Sequence, residues 1–294
     1  MRRTLVMALG LAAASPSAWA AWPDDVNLSS MSDLAGRPVL TQEDIAGNTA
    51  AYETVVRELG VAIANKPLTP ADTLGVSGFE VLVSTTVAFT STQEPEFGVP
   101  GPWGMVQVDE DPTPALILPR IEARKGLPFS FDVGAQVGWV GVSRQTVFGG
   151  YGRWAPLEGY RQIPDVSLQL GYSGYVGNEE LELGVMDFAM TISYELAFGS
   201  LKEINSATFT PYGGFGRLWM HAEPRLGAEE QQDLGVRPVS GFKNSTAYEA
   251  EGNWSPYTLH GGFRIVSQHW EFKAGAVWAP KIMPTINVGM GFHY

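Results

Sequence analysis

The sequence predicts an all-β fold, a closed antiparallel transmembrane β-barrel of about ten strands, with eight or twelve as alternatives, preceded by an amphipathic helix. Three observations lead to this fold class. Apolar and polar residues alternate with a period of two over most of the chain after residue 74. One apolar row carries a tryptophan at each end, and long connections alternate with short ones.

The first twenty residues have the three parts of an export signal. Two arginines precede a short apolar run at 5–14, and a small-residue cleavage site follows at Ala18-Trp19-Ala20. This pattern predicts cleavage after Ala20, because the apolar run is too short to cross a bilayer as an anchor. Residues 21–70 are then predicted to form an N-terminal periplasmic segment, and 71–294 the barrel.

The composition excludes several classes of function. The chain has 34 glycines, 11% aromatic residues and only 17% charged residues, against about 25% charged residues in soluble domains. Its formal net charge of −12 argues against nucleic acid as a partner, since nucleic acid requires a basic surface. The absence of cysteine excludes disulfides and thiolate metal sites. We predict neither a metal nor a cofactor.

An amphipathic helix is predicted at about 42–64. Thr41 and Asp44 form a capping pair, and apolar residues then recur at helical spacing. The helix could plug or gate the lumen, cover the periplasmic mouth or a sheet edge, or bind a partner. We expect it to dock at the periplasmic mouth, because a helix is about 10–12 Å across and side chains already fill a small barrel. A helix threaded fully inside would require more than ten strands.

Ten alternating segments follow the helix. In the clearest one the even positions from Met186 to Phe198 are apolar, and the odd positions include Asp187, Thr191 and Glu195. A soluble sheet can alternate in the same way, so the prediction depends on the complete set. The segments lie at 75–90, 114–124, 129–141, 145–156, 164–175, 181–198, 206–220, 255–267, 269–279 and 284–294.

The lengths of these segments fit a membrane. Ten residues tilted near 45° rise about 23 Å, close to the ~25 Å apolar band of membrane barrels. Trp270 and Trp278 lie at the two ends of one apolar row, as in an aromatic girdle. Because edge amides have no hydrogen-bonding partner in lipid, the sheet must close.

The connections differ in length. If the chain starts in the periplasm, the long ones at 91–113 and 221–254 both fall outside, and the short ones at 125–128 and 267–269 fall on the periplasmic side. Residues 141–165 fit either a hairpin or one loop. A loop would place the second long connection on the wrong side, so ten strands are favoured.

The last residues form a strand with an apolar face and a terminal aromatic residue. This pattern resembles the C-terminal signal of Gram-negative outer-membrane β-barrel proteins, and the resemblance as a class pattern covers about 75–294. It implies location in the outer membrane, contact with outer-membrane lipid, recognition by the barrel-assembly machinery, and pairing of the last strand with the first. It indicates no particular substrate. The residues that form this signal are Ile286, Val288, Met290, Phe292 and Tyr294.

Strand parity places a set of ionisable residues inside the barrel. They could form a charged pore lining that selects small solutes, or a plugged interior of mutually neutralising pairs. The second interpretation is favoured, because unpaired buried charge is costly and a ten-stranded barrel is narrow. The predicted lumen-lining residues are Glu80, Arg120, Glu122, Arg124, Asp132, Asp187, Glu195, His260, Arg264, Glu271 and Lys273.

No catalytic residue is predicted. The four histidines lack the spacing of a zinc site, and the chain has no GxSxG motif. A lipid- or peptide-cleaving barrel would have to use His221 with Glu223 near an outer rim, or His260. We therefore predict a protein that is not an enzyme: a narrow passive channel or a structural, surface-interacting barrel. The alternatives are an outer-membrane hydrolase and an adhesin that acts through the long outer loops.

Overall fold

The structure is a computed structural model that describes residues 24–35, 41–92, 101–107, 114–160, 163–198, 207–242 and 254–294. The predicted signal at 1–20 lies outside the described residues. Within the described ranges, no helix is long and apolar enough to cross a membrane.

Twelve strands form one antiparallel sheet, and ten of them build the wall of a barrel. A period of two gives each wall strand one apolar face and one polar or small face, which favours strand over helix. Two short strands, β7 (Leu196–Phe198) and β9 (Val239–Ser240), pair with β8. The wall strands are β1 (Phe79–Phe89), β2 (Ala115–Leu127), β3 (Phe131–Trp139), β4 (Thr146–Leu157), β5 (Asp165–Val176), β6 (Leu181–Ser193), β8 (Ala207–Pro224), β10 (Tyr257–Ser267), β11 (Trp270–Ala279) and β12 (Met283–His293).

The barrel closes between its first and last strands. β1 pairs with β12 in a register that sets Val83 opposite Met290. At the end of this ladder Phe79 and Tyr294 exchange backbone hydrogen bonds of 2.8 and 2.9 Å. The ambiguous region 141–165 supplies β4 and the start of β5, which pair as a hairpin. The predicted closed barrel of about ten strands is therefore confirmed.

The outer surface of the wall is apolar. Outward positions alternate with buried ones along each strand, so large exposed side chains form a continuous belt. At one border of this belt Phe131 stacks on Trp154 at 5.9 Å, and Trp270 meets Phe292 edge-on at 5.9 Å. Such a surface suits hydrocarbon rather than water. The belt includes Val81, Val83, Ile117, Ile121, Val133, Phe148, Leu170, Phe215, Leu259, Phe272, Ile286, Val288 and Met290.

The two ends of the barrel differ. The longest connections, at 90–114 and 225–256, share one end, as predicted, and we call it the loop end. The opposite end carries the start of β1 and Tyr294, and we call it the turn end. The other loop-end connections are 140–145, 177–180 and 280–282, and the turn-end connections are 128–130, 158–164, 194–206 and 268–269.

Four helical segments complete the described fold. Helix α1 begins with the predicted capping pair, in which the Asp44 N–H donates to Thr41 Oγ1 at 3.2 Å. From Ala51 onwards α1 is buried on most sides, and it contacts the six wall strands β1, β2, β5, β6, β8 and β12. The expectation that the helix docks at the periplasmic mouth, the turn end, is wrong, because α1 enters the barrel from the loop end. The segments are a 3-10 helix (Ser29–Ala35), α1 (Gln42–Ile63), α2 (Pro102–Val106) and α3 (Ala228–Leu234).

A wall of ten strands has room for this part of the chain because many of its inward-facing residues are small. At Gly149 and Gly171 an added Cβ would lie 2.6 and 2.4 Å from the side chain of Asn65, just beyond the helix. The expectation that a helix threaded fully inside requires more than ten strands stays a prediction, because only the second half of α1 lies inside the wall and the first half lies among the loop-end connections. The small inward residues are Ser84, Gly138, Gly149, Gly171, Ala189, Gly216, Gly275 and Gly289.

The interior has two levels. Towards the loop end the inward side chains are apolar and pack against Val55, Leu59 and Ile63 of α1. Each large apolar side chain that is fully buried contributes roughly 1.5–3 kcal/mol, so this level holds the helix firmly. Towards the turn end the inward side chains are mostly polar or charged. The apolar level includes Leu116, Leu118, Val147, Leu183, Val185, Met220 and Ala279.

Candidate functional site

The lumen is occupied by the chain itself. We call residues 42–74 the plug, which consists of α1 and the extended stretch that follows it to the turn end. From residue 51 onwards most plug residues are buried. The candidate functional site is therefore the contact surface between the plug and the inner wall.

Two cations bind the carbonyl end of α1. Arg120 donates to the carbonyl oxygen of Ala64 at 3.0 Å and also to that of Ala62. Lys66 donates to the carbonyl oxygen of Val61. The last carbonyls of a helix have no hydrogen-bond donor within it and carry partial negative charge. Cations at this position therefore both donate to these carbonyls and balance their charge. The wall thus determines where the helix ends.

Asn65 occupies a polar socket in the wall, formed by Gln136, Gly149, Gly171 and Asp187. Its Oδ1 accepts from Gln136 Nε2 at 2.8 Å, and its Nδ2 donates to Asp187 Oδ2 at 2.6 Å. The two glycines leave the space that the amide fills. Because both ends of the amide are bound, the socket fixes the plug at the middle of the barrel.

Wall residues also hold the extended stretch below the socket. The Ala71 N–H donates to Ser193 Oγ at 2.8 Å, and Arg153 donates to the carbonyl oxygen of Asp72 at 2.5 Å. The Asp72 carboxylate pairs with Arg264 at 2.7 Å. These contacts come from three different strands, so they prevent the stretch from moving towards any side of the lumen.

A buried ion network lies beside the extended stretch. Glu80 binds Arg124 at 2.5 Å and Lys273 at 2.7 Å. Arg124 also contacts Asp132 at 3.2 Å, and Lys273 contacts Glu271 at 3.1 Å. None of these five side chains is more than 1% exposed. Each charge therefore depends on its partners rather than on water.

Below α1 the formal charges of the described lumen cancel. Six cationic and six carboxylate side chains face this part of it, so no excess of one sign is present there to select ions. This arrangement supports the plugged interior of neutralising pairs rather than the pore lining. The cations are Lys66, Arg120, Arg124, Arg153, Arg264 and Lys273, and the carboxylates are Asp72, Glu80, Glu122, Asp132, Asp187 and Glu271.

Most residues predicted to line the lumen lie on the inner wall, with one exception. The predicted inward position of Glu195 is wrong, because β6 ends at Ser193 and Glu195 is exposed in the connection that follows. Sequence reasoning missed Asn65 and Lys66, since they belong to the segment that it placed outside the barrel, and Asp72, which precedes the first predicted strand. The inward-facing residues are Glu80, Arg120, Glu122, Arg124, Asp132, Asp187, His260, Arg264, Glu271 and Lys273.

Connections at the loop end hold the first half of α1. We call residues 24–35, 101–107 and 228–235, which surround this half of the helix, the cap. Trp103 Nε1 donates to the Glu58 carboxylate at 2.6 Å, and the Ser91 N–H donates to it at 3.0 Å. The carboxylate thus joins the helix to two parts of the same long connection.

Helix α3 is fixed directly to α1. Thr49 Oγ1 donates to the carbonyl oxygen of Gly235 at 2.7 Å. Gly235 ends α3 with a φ of 74°, a left-handed conformation that favours glycine. A Cβ added there would lie 2.6 Å from Ile45 Cγ2. The close approach of the two helices therefore depends on this glycine.

The two histidines considered for catalysis have different surroundings. His260 Nε2 lies 3.0 Å from Thr191 Oγ1 in the buried lumen. His221 Nε2 lies 3.3 Å from Glu223 Oε1 near the loop end, where both side chains are partly exposed. In the part of the chain that the structure covers, no three metal-ligating side chains come together.

Replacing Arg120 with methionine should loosen the end of α1. The buried carbonyls of Ala62 and Ala64 would lose their donor, at an expected cost of about 2–3 kcal/mol in the free energy of unfolding. Urea-induced unfolding from lipid vesicles measures this loss. Arg225→Met is the control, because Arg225 is more than half exposed and its loss should cost less than ~1 kcal/mol. Equal losses in the two variants would contradict the capping role.

Comparisons with known proteins yield no family. No protein-family model matches the chain, and no curated protein matches its sequence. The chain is similar to Omp33 of Acinetobacter baumannii, with 11% identity over 75% of this chain and 100% of that one, and a TM-score of 0.26. It is also similar to LpxR of Salmonella typhimurium, with 10% identity over 74% and 99% of the two chains and a TM-score of 0.34.

A third similar structure is Ail, the attachment invasion locus protein of Yersinia pestis. Its identity is 9% over 74% of this chain and 97% of that one, with a TM-score of 0.23. The fold assignment depends on the chain's own structure, which has a closed wall, an apolar outer belt and a last strand paired with the first. On these features the chain has the fold of a membrane β-barrel, the fold that the similar structures share.

Proposed function

We propose that this chain is a structural outer-membrane barrel that is closed to solutes and acts through its loop end. The observation that carries the proposal is the plug, which runs from the cap to the turn end and contacts the wall at every level. A passive channel would need a continuous water path along this same space.

Two properties of the lumen support a closed state. At the apolar level an ion would lose its hydration and find no polar group in return, which is costly. At the charged level, Glu80 is bound to Arg124 and Lys273, and Arg264 is bound to the plug through Asp72. A conducting path would have to break these contacts.

The cap supports a role in surface interaction. Residues such as Glu229 and Glu230 of α3 are exposed, while the bond from Thr49 to Gly235 holds α3 on the plug. A rigid surface loses little conformational freedom when it binds, so more of its contact energy contributes to affinity. We therefore place surface interaction through the loop end before solute transport.

Purified protein in planar bilayers tests the closed state. The folded wild type should give no unitary current steps, and vesicles that contain it should not swell in small sugars. Slower migration on a gel after boiling shows that the sample was a folded barrel. Reproducible ohmic steps from folded wild-type protein would refute the proposal and favour the narrow channel.

A lipid- or peptide-cleaving activity has less support. A hydrolase needs a nucleophile beside its general base at a place that the substrate can reach. Thr191 lies beside His260, but both are buried in the lumen, and the more exposed His221 contacts a carboxylate, that of Glu223. Turnover of a lipid or peptide substrate that the wild type shows and His221→Ala lacks would establish this alternative.

A further inference from the structure

We infer that the barrel passes its own N-terminal segment through the lumen and displays it on the outer face of the membrane. Residues 24–35 then lie on the opposite side of the membrane from Tyr294. This activity, the passage and display of polypeptide, goes beyond a closed barrel that interacts through its loops. It follows from the path of the plug from one end of the barrel to the other.

The C-terminal end of the plug lies at the turn end of the barrel. The Leu74 N–H donates to Asp132 Oδ1 at 3.2 Å, close to the turn between β2 and β3. Thr73 donates to the Glu158 carboxylate at 2.8 Å, just beyond the end of β4. β1 begins a few residues later, at Phe79. The plug is thus anchored at the end where the wall both begins and finishes.

The middle of the plug lies inside the barrel. Ser193 binds Ala71 at the end of β6, and Asn65 then occupies its socket between β3, β4, β5 and β6. Arg120 of β2 binds Ala62 and Ala64 above the socket. The chain therefore passes inside the wall rather than along its outer surface.

The segment that precedes the plug, residues 24–35, lies among the loop-end connections. Glu180, between β5 and β6, accepts hydrogen bonds from the Ser29 N–H at 2.9 Å and from Ser29 Oγ at 2.6 Å. Asn178 Nδ2 donates to the carbonyl oxygen of Val26 at 2.7 Å. The Asp24 carboxylate accepts from the Val142 N–H at 2.6 Å, between β3 and β4. Residues 24–35 thus bind two loop-end connections, 177–180 and 140–145.

The helical form of the plug makes this passage compatible with a buried lumen. A helix satisfies its backbone hydrogen bonds internally, so the apolar level of the lumen needs no polar groups to receive it. Below Ile63 the chain is extended, so its backbone groups have no partners within a helix. There the wall supplies donors from Arg120 and Arg153 and an acceptor from Ser193. The two levels of the lumen therefore match the two parts of the plug.

The orientation follows from the connections. A chain exported to the periplasm places the start of β1 and Tyr294 on the periplasmic side, and the long connections then face outwards. The structure sets residues 24–35 against one of those long connections, because the Asn27 N–H donates to the carbonyl oxygen of Val106 at 2.7 Å. The outer surface of the cap consequently includes N-terminal polypeptide, not only loops between strands.

The absence of native cysteine allows a direct test by labelling. Ser32 precedes the plug at the loop end, Ser77 follows it at the turn end, and both are exposed. Val142 is an exposed loop-end residue. Ser32→Cys, Ser77→Cys and Val142→Cys are expressed singly in a Gram-negative host and treated with a membrane-impermeant maleimide. In intact cells Ser32→Cys should label as strongly as Val142→Cys, and Ser77→Cys should label only after the outer membrane is permeabilised.

Other outcomes overturn the inference. Labelling of Val142→Cys without Ser32→Cys would mean that the N-terminal segment does not reach the outer face. Labelling of Ser77→Cys alone would reverse the orientation, and equal labelling of Ser32→Cys and Ser77→Cys would place both on one side. Gel mobility before and after boiling verifies that each variant is folded. This test is independent of conductance, so a conducting barrel would refute the closed state and leave the labelling pattern unchanged.

Discussion

Leucine in place of Gly171 is expected to unseat the plug and make the barrel conduct. An added Cβ at this inward position would lie 2.4 Å from Asn65 Nδ2 and 2.8 Å from Asp187 Oδ2, so a leucine side chain would fill the socket. Asn65 would lose its hydrogen bonds to Gln136 and Asp187. The backbone ladders of β5 stay intact, so the wall should close as before, at an overpacking cost of about 1–3 kcal/mol.

Planar bilayers measure the effect, with Gly174→Leu as the matched control. Gly174 is in the same strand but faces outwards, and the nearest atom to an added Cβ is 3.8 Å away in the ring of Tyr172. Unitary current steps should appear with Gly171→Leu and be absent from both the control and the wild type. A folded Gly171→Leu protein without current, or currents from both variants, would contradict the role of the socket.

The wall can be predicted from sequence because its outer face meets lipid. Lipid requires apolar outward residues on every strand, so the period of two persists from Val81 in β1 to Phe292 in β12. Closure follows from the same requirement, since edge amides cannot be left in hydrocarbon, and the β1–β12 ladder confirms it. The start of α1 follows from a local signal, the Thr41 capping pair.

The position of α1 could not be derived from the helix alone. An apolar stripe fits a lumen, a mouth or a partner equally well, because the stripe does not say what covers it. The informative signal lies in the wall, where glycines such as Gly149 and Gly171 occupy inward positions that would otherwise carry side chains. Read together across the strands, these small residues indicate an object inside the barrel.

The candidate site, too, could be predicted from the sequence only in part. Parity gives the face of a residue, and Glu80 and Lys273 do face inwards. Parity does not give the partner, and the pair of Asp72 with Arg264 joins the plug to a strand 192 positions away. Arg153 was missed because it lies in the region whose strand assignment is ambiguous from sequence. Contacts between plug and wall therefore required the structure.

Removing the carboxylate of Glu80 is expected to destabilise the barrel strongly. Glu80 is the shared partner of Arg124 and Lys273, whose side chains are fully buried. In Glu80→Ala these two cations keep only Asp132 and Glu271 as ion-pair partners in the network described above, at longer distances of 3.2 and 3.1 Å. Leaving a buried charge without its partner typically costs about 3–5 kcal/mol.

Urea-induced unfolding from lipid vesicles gives the free energy of unfolding for this variant, with Glu182→Ala as the matched control. Glu182 also pairs with an arginine, Arg225, at 2.8 Å, but both side chains are more than half exposed. Exposed pairs contribute less than ~1 kcal/mol, so the control should unfold almost like the wild type. The contrast isolates burial, since the two substitutions remove the same carboxylate from an arginine pair. A loss from Glu80→Ala no larger than that from Glu182→Ala would mean that the network does not stabilise the lumen.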